Sequence, residues 1–390
     1  MVDVRDMGTE QPEDHLVAAA EALVPTLRER ARATESLRRV PDETVAQLKE
    51  AGLFRILQPA KYGGLEADLT TYYETVFALS AADTSVGWVH SVFAAHAWSV
   101  ALYPERALDE IWGRDHDTLL CSASLCKEGG IDKVDNGYRM RGVYGFASGC
   151  HHGDWVMILG VARNAPEGGP LWCLVPKSDF EIVDNWYMAG LAGTGSCDLR
   201  IDSEIPSHRA ISLMKTGSEV SDSPIYRLPF LTVFSDCLTL PIVGGAQGAY
   251  ESYVSKEKER VSLFGVVPSA DPGIQMTTAE AAADLDAARL SLFRNLGELM
   301  GVASEAQDFP SELLVRTERD RVLAIRRSVS AVDRIMANAG GRAFNLDNPL
   351  QRAWRDVHAA AAHAANRPGP ALAAYGAHSF GIAPTDPGGP

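Results

Sequence analysis

His96, Ser148 and His378 combine side-chain type and setting in a way that suits proton chemistry. His96 lies in Ala94-Ala95-His96-Ala97-Trp98, a stretch otherwise apolar with helical spacing. A lone histidine there either finds a core partner or faces a bound molecule. His378 sits in Tyr375-Gly376-Ala377-His378-Ser379-Phe380-Gly381, read as a short loop flanked by glycines. Imidazole changes charge near neutral pH, so either ring can hold a hydroxyl or move its proton. Ser148, in Phe146-Ala147-Ser148-Gly149, either bonds its own turn or presents its hydroxyl to a ligand. Gly193-Thr194-Gly195-Ser196 offers backbone N–H groups and hydroxyls to a phosphate or a ring edge. Trp186 and Tyr187 precede that loop and are candidates for lining the same pocket.

Two absences narrow the chemistry. No G-x-G-x-x-G follows a strand, so no nicotinamide site is evident. Six cysteines lie between Cys121 and Cys237 without a C-x-x-C pair, and they read as buried small apolar residues. Cys150, His151 and His152 are adjacent, but zinc wants spaced ligands from two elements and no second cluster follows. The expectation is therefore no metal.

The elements that must position these residues change texture twice along the chain. From His15 to Trp112 the pattern is helical. Pro41-Asp42-Glu43 opens one helix and Gly52 stops it, while Leu65–Ala82 and Val86–Leu102 read as two more, the second buried on most sides. From Asp117 to Leu213 short apolar runs alternate with turn residues. Asn136-Gly137 signals a hairpin, and the runs 155–160 and 171–175 read as strands of an antiparallel domain. From Leu231 onward long helices return. Thr278–Ala306 carries Leu285, Ala288, Leu292 and Leu296 on one stripe, and Ser311–Ala339 carries Val322, Ile325, Val329, Val332 and Ile335. Helices of that length with apolar faces form an antiparallel bundle. The fold class is α+β: an N-terminal helical domain over 1–115, a central β-sandwich or barrel domain over 116–225, and a C-terminal four-helix bundle over 226–390. With 36 basic against 51 acidic residues the chain carries −15, so nucleic acid is not an expected partner. No stretch reads as a membrane span and the N-terminus lacks a signal-peptide pattern, which makes the expected location cytoplasmic.

Helix, sheet and helical bundle in that order resemble the acyl-CoA dehydrogenase fold, and three strings support the likeness. Pro59-Ala60-Lys61-Tyr62-Gly63-Gly64 resembles its P-x-x-Y-G-G turn. Glu259-Arg260-Val261-Ser262-Leu263-Phe264-Gly265 resembles its R-x-x-F-G stretch, with one extra residue between Arg260 and Phe264. Arg355-Asp356 resembles its R-D helix near the end. Within that superfamily the chain is similar to the oxygenase components of two-component flavin monooxygenases, those acting on 4-hydroxyphenylacetate and on the phenolic ring of degraded steroids. The carrying strings are Ser85-Val86-Gly87-Trp88-Val89, Leu102-Tyr103-Pro104-Glu105-Arg106-Ala107, Ala147-Ser148-Gly149-Cys150, Asp154-Trp155, the 190–196 loop and Gly376-Ala377-His378-Ser379-Phe380-Gly381.

A missing base agrees with this branch. A dehydrogenase of this scaffold needs a carboxylate over the flavin to take the α-proton of a thioester. The segment 367–384 contains no Asp or Glu, the second family position for the base falls at Leu238, and Asp236 is two residues out of place.

The resemblance implies a specific chemistry. Reduced FMN or FAD, supplied by a separate NAD(P)H:flavin reductase, reacts with O2 to a C4a-hydroperoxyflavin that hydroxylates a phenolic or other electron-rich ring. It also implies roles: His378 in forming that species or binding the phenol, His96 in contacting substrate, and Ser148 near flavin N5. Arg260, Phe264, Gly193, Thr194 and Ser196 are placed with the cofactor, Arg260 across a subunit interface of a homotetramer. Ser122 and Ser124 bracket a family serine near substrate, and Phe146 and Trp186 join the substrate wall. Phe146 and His151 replace a family tryptophan and acid, which leaves the substrate open. Oxygenation of nitrogen on an amino sugar is the alternative reaction, and acyl-CoA dehydrogenation a third.

Overall fold

The computed structural model describes residues 14–261, 265 and 267–382. Five helices come first: α1 (Asp14–Leu37), α2 (Asp42–Glu50), α3 (Leu69–Ala82), α4 (Thr84–Val100) and α5 (Glu105–Trp112). The sequence places the start of α3 at Leu65, but the Asp68 carboxylate accepts the Thr71 N–H at 2.8 Å and fixes the start at Leu69. In the same way Asp83 accepts the N–H groups of Ser85 and Val86 and opens α4. All residues of α4 are buried, so this helix is the central pillar of the N-terminal part. Trp88, Val92 and His96 recur every four residues on it, which puts them on one face.

The strands β1 (Leu120–Ala123), β2 (Leu125–Val134), β3 (Gly137–Ala147), β4 (Trp155–Val161), β5 (Pro170–Pro176), β6 (Phe180–Val183), β7 (Cys197–Pro206) and β8 (Ala210–Ser212) form two four-stranded sheets. Their orders are β1-β4-β5-β8 and β2-β3-β7-β6. The expected antiparallel arrangement holds for all pairs but one. β1 runs parallel to β4, with Leu120 opposite Trp155, because the chain leaves β1 straight into the other sheet before returning to β4. Two features of this region matter below. Ser122 and Ser124 are two residues apart at the end of β1 and so project from one face. At the end of β3 the register with β7 slips between Tyr144 and Ala147, and inside that slip Phe146 takes φ of +67°.

The chain then returns to helices: α6 (Phe230–Glu259), α7 (Pro272–Ser304), α8 (Ser311–Asn338), α9 (Pro349–Ala361) and α10 (Pro368–Ser379). The apolar stripes of α7 and α8 are buried against each other, and α6 packs on α3, α4, α8 and α9. By length and mean hydropathy α6 could cross a membrane, contrary to the reading that no stretch reaches that limit. In the fold, 83% of its most apolar window is buried among the other helices, which accounts for its composition.

Candidate active site

One cavity of about 530 Å³ opens where α4, the end of β1, the β3 turn, α6 and the end of α9 converge. Trp88, Val92 and His96 supply the α4 face. Ser122, Ser124, Leu125, Phe146 and Ser148 supply the sheet side, and Phe234, Cys237 and Leu238 the α6 side. Trp186, Met188, Gly190, Leu191 and Ser196 close it from the loop before β7, and His363 enters from the turn after α9. No Asp or Glu lines it among the described residues. Leu238 occupies the wall, whereas Asp236 is buried elsewhere, hydrogen-bonded to the Tyr73 hydroxyl in the cleft between α3 and α6. The cavity is thus apolar in shape, with hydroxyls and imidazoles for polar handles.

The hydroxyls form a directed chain. Trp88 Nε1–H donates to Ser148 Oγ at 3.1 Å, and Ser148 and Ser196 lie 2.8 Å apart. Ser196 is 2.6 Å from Thr194, whose hydroxyl donates to the Leu191 carbonyl at 2.8 Å. Since the Thr194 proton is committed to Leu191, Ser196 donates to Thr194 and accepts from Ser148. Ser148 thus accepts from Trp88 and donates to Ser196, and its second lone pair is the group left to accept from a ligand.

The imidazoles are poised as neutral rings. His96 is buried and its ionisation is pushed down to about 4 by that burial. The Val92 carbonyl one turn back lies on its side, yet neither ring nitrogen has a hydrogen-bond partner. With no protein group satisfying it, the ring is free to bond a molecule held in the cavity. His363 Nδ1 accepts the Ala365 N–H at 3.2 Å, which leaves the proton of the neutral ring on Nε2. Burial, followed by the nearby Arg321 cation, holds its ionisation below the usual histidine value. His363 is therefore a hydrogen-bond donor at neutral pH.

Two residues of the wall carry strain. Phe146 at φ of +67° and Leu191 at φ of +53° both adopt the left-handed region without being glycine. The Phe146 ring, 48% exposed at the mouth, meets Trp186 edge to face at 6.0 Å with Lys127 Nζ 5.5 Å from its centroid. Trp186 Nε1–H in turn donates to Leu191 O at 3.0 Å. Phe146→Gly relieves roughly 1 kcal/mol of backbone strain. The variant should melt no earlier than wild type while KM for the preferred substrate rises, a pairing visible in thermal scans beside steady-state rates.

Leu191 is held from behind. Its N–H donates to buried Asp356 at 2.6 Å, and the Arg355 of the same R-D pair donates to the Ala189 carbonyl. Burial pushes Asp356 up to about 7 and neighbouring Asp83 up to about 6. An unfolded carboxyl titrates near ~3.9. Between about 4 and 7 the folded state therefore binds more protons, and the stability from these two groups is lost as pH rises through that window. Replacing Asp356 with Asn should flatten the fall of the thermal midpoint across it. Asp356→Ala instead orphans the Leu191 N–H and should cost about 1–3 kcal/mol in denaturant unfolding.

Several residues singled out in the sequence fall elsewhere. His378 lies in the last turn of α10, half-buried, and does not line the cavity. Pro368 starts a new helix, and fifteen residues beyond His363 the chain has left the site. Gly193 is packed from behind, where a Cβ would come within 2.6 Å of Thr34 Cγ2, so it shapes the loop. Thr194 reaches the site only through Ser196. Tyr187 is 71% exposed beneath Arg38. Arg260 bonds Glu257 and Ala339 just past the end of α6, about 33 Å along that helix from Leu238. Phe264 lies outside the described residues. Trp88, which the sequence offered only within a family string, and His363, not singled out, are cavity residues to which sequence reasoning gave no role.

The acyl-CoA dehydrogenase N-terminal domain family matches residues 11–112 and the C-terminal domain family residues 237–368. Over 383 residues the chain is 38% identical to the flavin-dependent monooxygenase, oxygenase subunit HsaA, of Mycobacterium tuberculosis, covering 95% of this chain and 96% of that one. The chain belongs to the flavin-dependent monooxygenase oxygenase subunits. Its likeness to the crystal structure of that M. tuberculosis monooxygenase has a TM-score of 0.91 at 37% identity, over 96% of this chain and 100% of the other. A second family relative is the oxygenase component of an FADH2-dependent resorcinol hydroxylase from Rhizobium, 32% identical over 90% of this chain and 91% of the relative. XiaF from Streptomyces, solved with FADH2 and glycerol, matches with a TM-score of 0.88 at 27% identity, covering 96% and 97%.

Proposed function

We propose that the chain is the oxygenase component of a two-component system that takes reduced FAD or FMN from a flavin reductase and hydroxylates a phenolic ring. The observation that carries this is the pairing of unpartnered His96 with the Nε2–H of His363 in a cavity without a carboxylate. Reduced flavin supplies two electrons and the activation of O2, one oxygen atom going to the ring and the other leaving as water. The cavity fits such a ring system: it is large, walled by Trp88, Leu191 and Phe234, and edged by the Ser148 and Ser196 hydroxyls.

The chain's own residues divide the remaining work. Ser148, fixed by Trp88 and Ser196, offers its remaining lone pair to an N–H at the cofactor's edge. His363 donates from Nε2. Neutral His96 accepts the substrate hydroxyl, drawing electron density into the ring. Apolar Val92, Leu238 and Phe234 keep water from diverting oxygen to hydrogen peroxide.

The competing readings lack a group they need. A thioester dehydrogenase has no base here, since Leu238 stands in the wall. An amino sugar would bring an ammonium to a cavity with no carboxylate to hold it. Arg260 is too far from its own cavity to touch a flavin there, so in our reading it serves a neighbouring subunit of a homotetramer.

The test supplies reduced flavin anaerobically, then mixes the protein with ¹⁸O₂ and a panel of phenols. One ¹⁸O in a catecholic product, with little peroxide, is expected. Oxygen consumed wholly as peroxide with every phenol overturns the assignment.

A further inference from the structure

Behind the Ser148 turn lies a second cluster that the oxygenation does not use. Cys150 and His151 follow the end of β3, and Cys197 opens β7, 46 positions after His151. The two strands pair antiparallel, and Ala147 stands opposite Cys197, so the register brings the three side chains together. Their ligand atoms all lie within 4.8 Å of one another. Both thiols are buried, at 0% and 1% exposure, while His151 is half-buried and open to water on one side. From sequence no second cluster was visible beside Cys150 and His151. The fold supplies it across the sheet.

We propose that Cys150, His151 and Cys197 bind one zinc ion per chain, with a water molecule in the fourth position. The spacing suits the ion. Bond lengths of about 2.3 Å to sulfur and about 2.0 Å to nitrogen at a tetrahedral centre put sulfur and nitrogen roughly 3.6 Å apart. Cys197 Sγ and His151 Nε2 are 3.6 Å apart. Without metal the ring nitrogen and the thiol share that contact, and Cys150 Sγ donates to the Gly195 carbonyl at 3.3 Å. Binding replaces both: two S–H bonds lose their protons to solvent, two Zn–S bonds and one Zn–N bond form, and no electron changes hands. Two thiolates balance the dication, so the loaded site is neutral. Buried sulfur thus gains a charge partner in place of a weak hydrogen bond.

The location gives the ion a consequence. It ties the turn carrying Ser148 to the strand start carrying Ser196, the two hydroxyls 2.8 Å apart in the cavity wall. A bound zinc stiffens that pair from behind without touching substrate. The proposal stands independently of what the cavity oxidises.

The experiment uses the full chain, reduced and stripped with a chelator, then loaded with zinc and passed through a desalting column. One equivalent is expected on wild type and on Cys126→Ser, which removes an exposed thiol outside the cluster. The Cys150→Ala/Cys197→Ala double variant should retain none, and His151→Ala, at a half-buried position that the fold tolerates, should weaken retention about tenfold or more. Cobalt in place of zinc should give a thiolate-to-metal charge-transfer band on wild type, absent in Cys197→Ser. Loading should raise the thermal midpoint of wild type and not of the double variant, a difference that a merely structural role for these side chains would not produce. Zinc retained equally by the double variant, no zinc on folded wild type, or a cobalt spectrum without sulfur ligation each overturns the site.

Discussion

His363→Ala lowers hydroxylated product by about 10²-fold or more, and His378→Ala leaves it within about twofold. The first expectation follows from the Ala365 N–H, which occupies Nδ1 at 3.2 Å and commits the neutral ring to presenting Nε2–H in the cavity. Alanine removes the only imidazole donor whose tautomer the backbone fixes there among the described residues. Oxygen consumption should persist, because reduced flavin reacts with O2 without help, but the oxygen should leave as hydrogen peroxide. Product and peroxide are therefore measured together, and their ratio reports coupling. His363 sits in a partly exposed turn, so its loss should move the thermal midpoint little and a rate defect is not an unfolding defect. His378 is set apart by the helix that Pro368 begins. A variant series in which His378→Ala uncouples the reaction and His363→Ala does not would sink the assignment.

How far the sequence revealed this site depends on what kind of signal each residue sends. The four-residue spacing of Trp88, Val92 and His96 puts them on one helical face, and a histidine on an otherwise apolar stretch stands out. Trp88 does not stand out, because an indole suits a core and a cavity wall equally. Only its hydrogen bond to Ser148 tells the two apart. Ser122 and Ser124 show the same-face periodicity of a strand end, and both line the cavity. His363 sits in Ala-Ala-His-Ala-Ala-Asn, with no glycine or proline punctuation to mark a functional turn, whereas His378 is flanked by glycines that mimic a loop. Gly376 is merely tolerated in the last turns of a helix whose start Pro368 fixes. The Cys150–Cys197 contact depends on strand register across a long separation, which composition and spacing do not encode. The strain at Phe146 and Leu191 is likewise invisible until the backbone is traced.

His96→Phe should raise the thermal midpoint by a few degrees while lowering kcat/KM for the phenol by about 10- to 100-fold. The two effects have one cause. Among the protein's own groups neither ring nitrogen finds a hydrogen bond, and a buried polar group without a protein partner costs about 1–3 kcal/mol. Phenylalanine removes that cost and can keep the edge-to-face contact with Phe234, now 6.2 Å between centroids at 74°. When substrate binds, the same nitrogens gain a hydroxyl partner, and phenylalanine forfeits it. Because burial pushes the ionisation of His96 down to about 4, the ring is neutral at working pH and no charge term blurs the comparison. For the same reason no step in the rate profile between about pH 6 and 8 should vanish in the variant. Thermal scans without flavin and steady-state rates with a saturating reductase provide both numbers. A midpoint that falls would mean that His96 already has a stabilising partner in the free protein. A kcat/KM that stays put would mean the substrate hydroxyl is held elsewhere on the wall, with Ser122 and Ser124 the residues to test next.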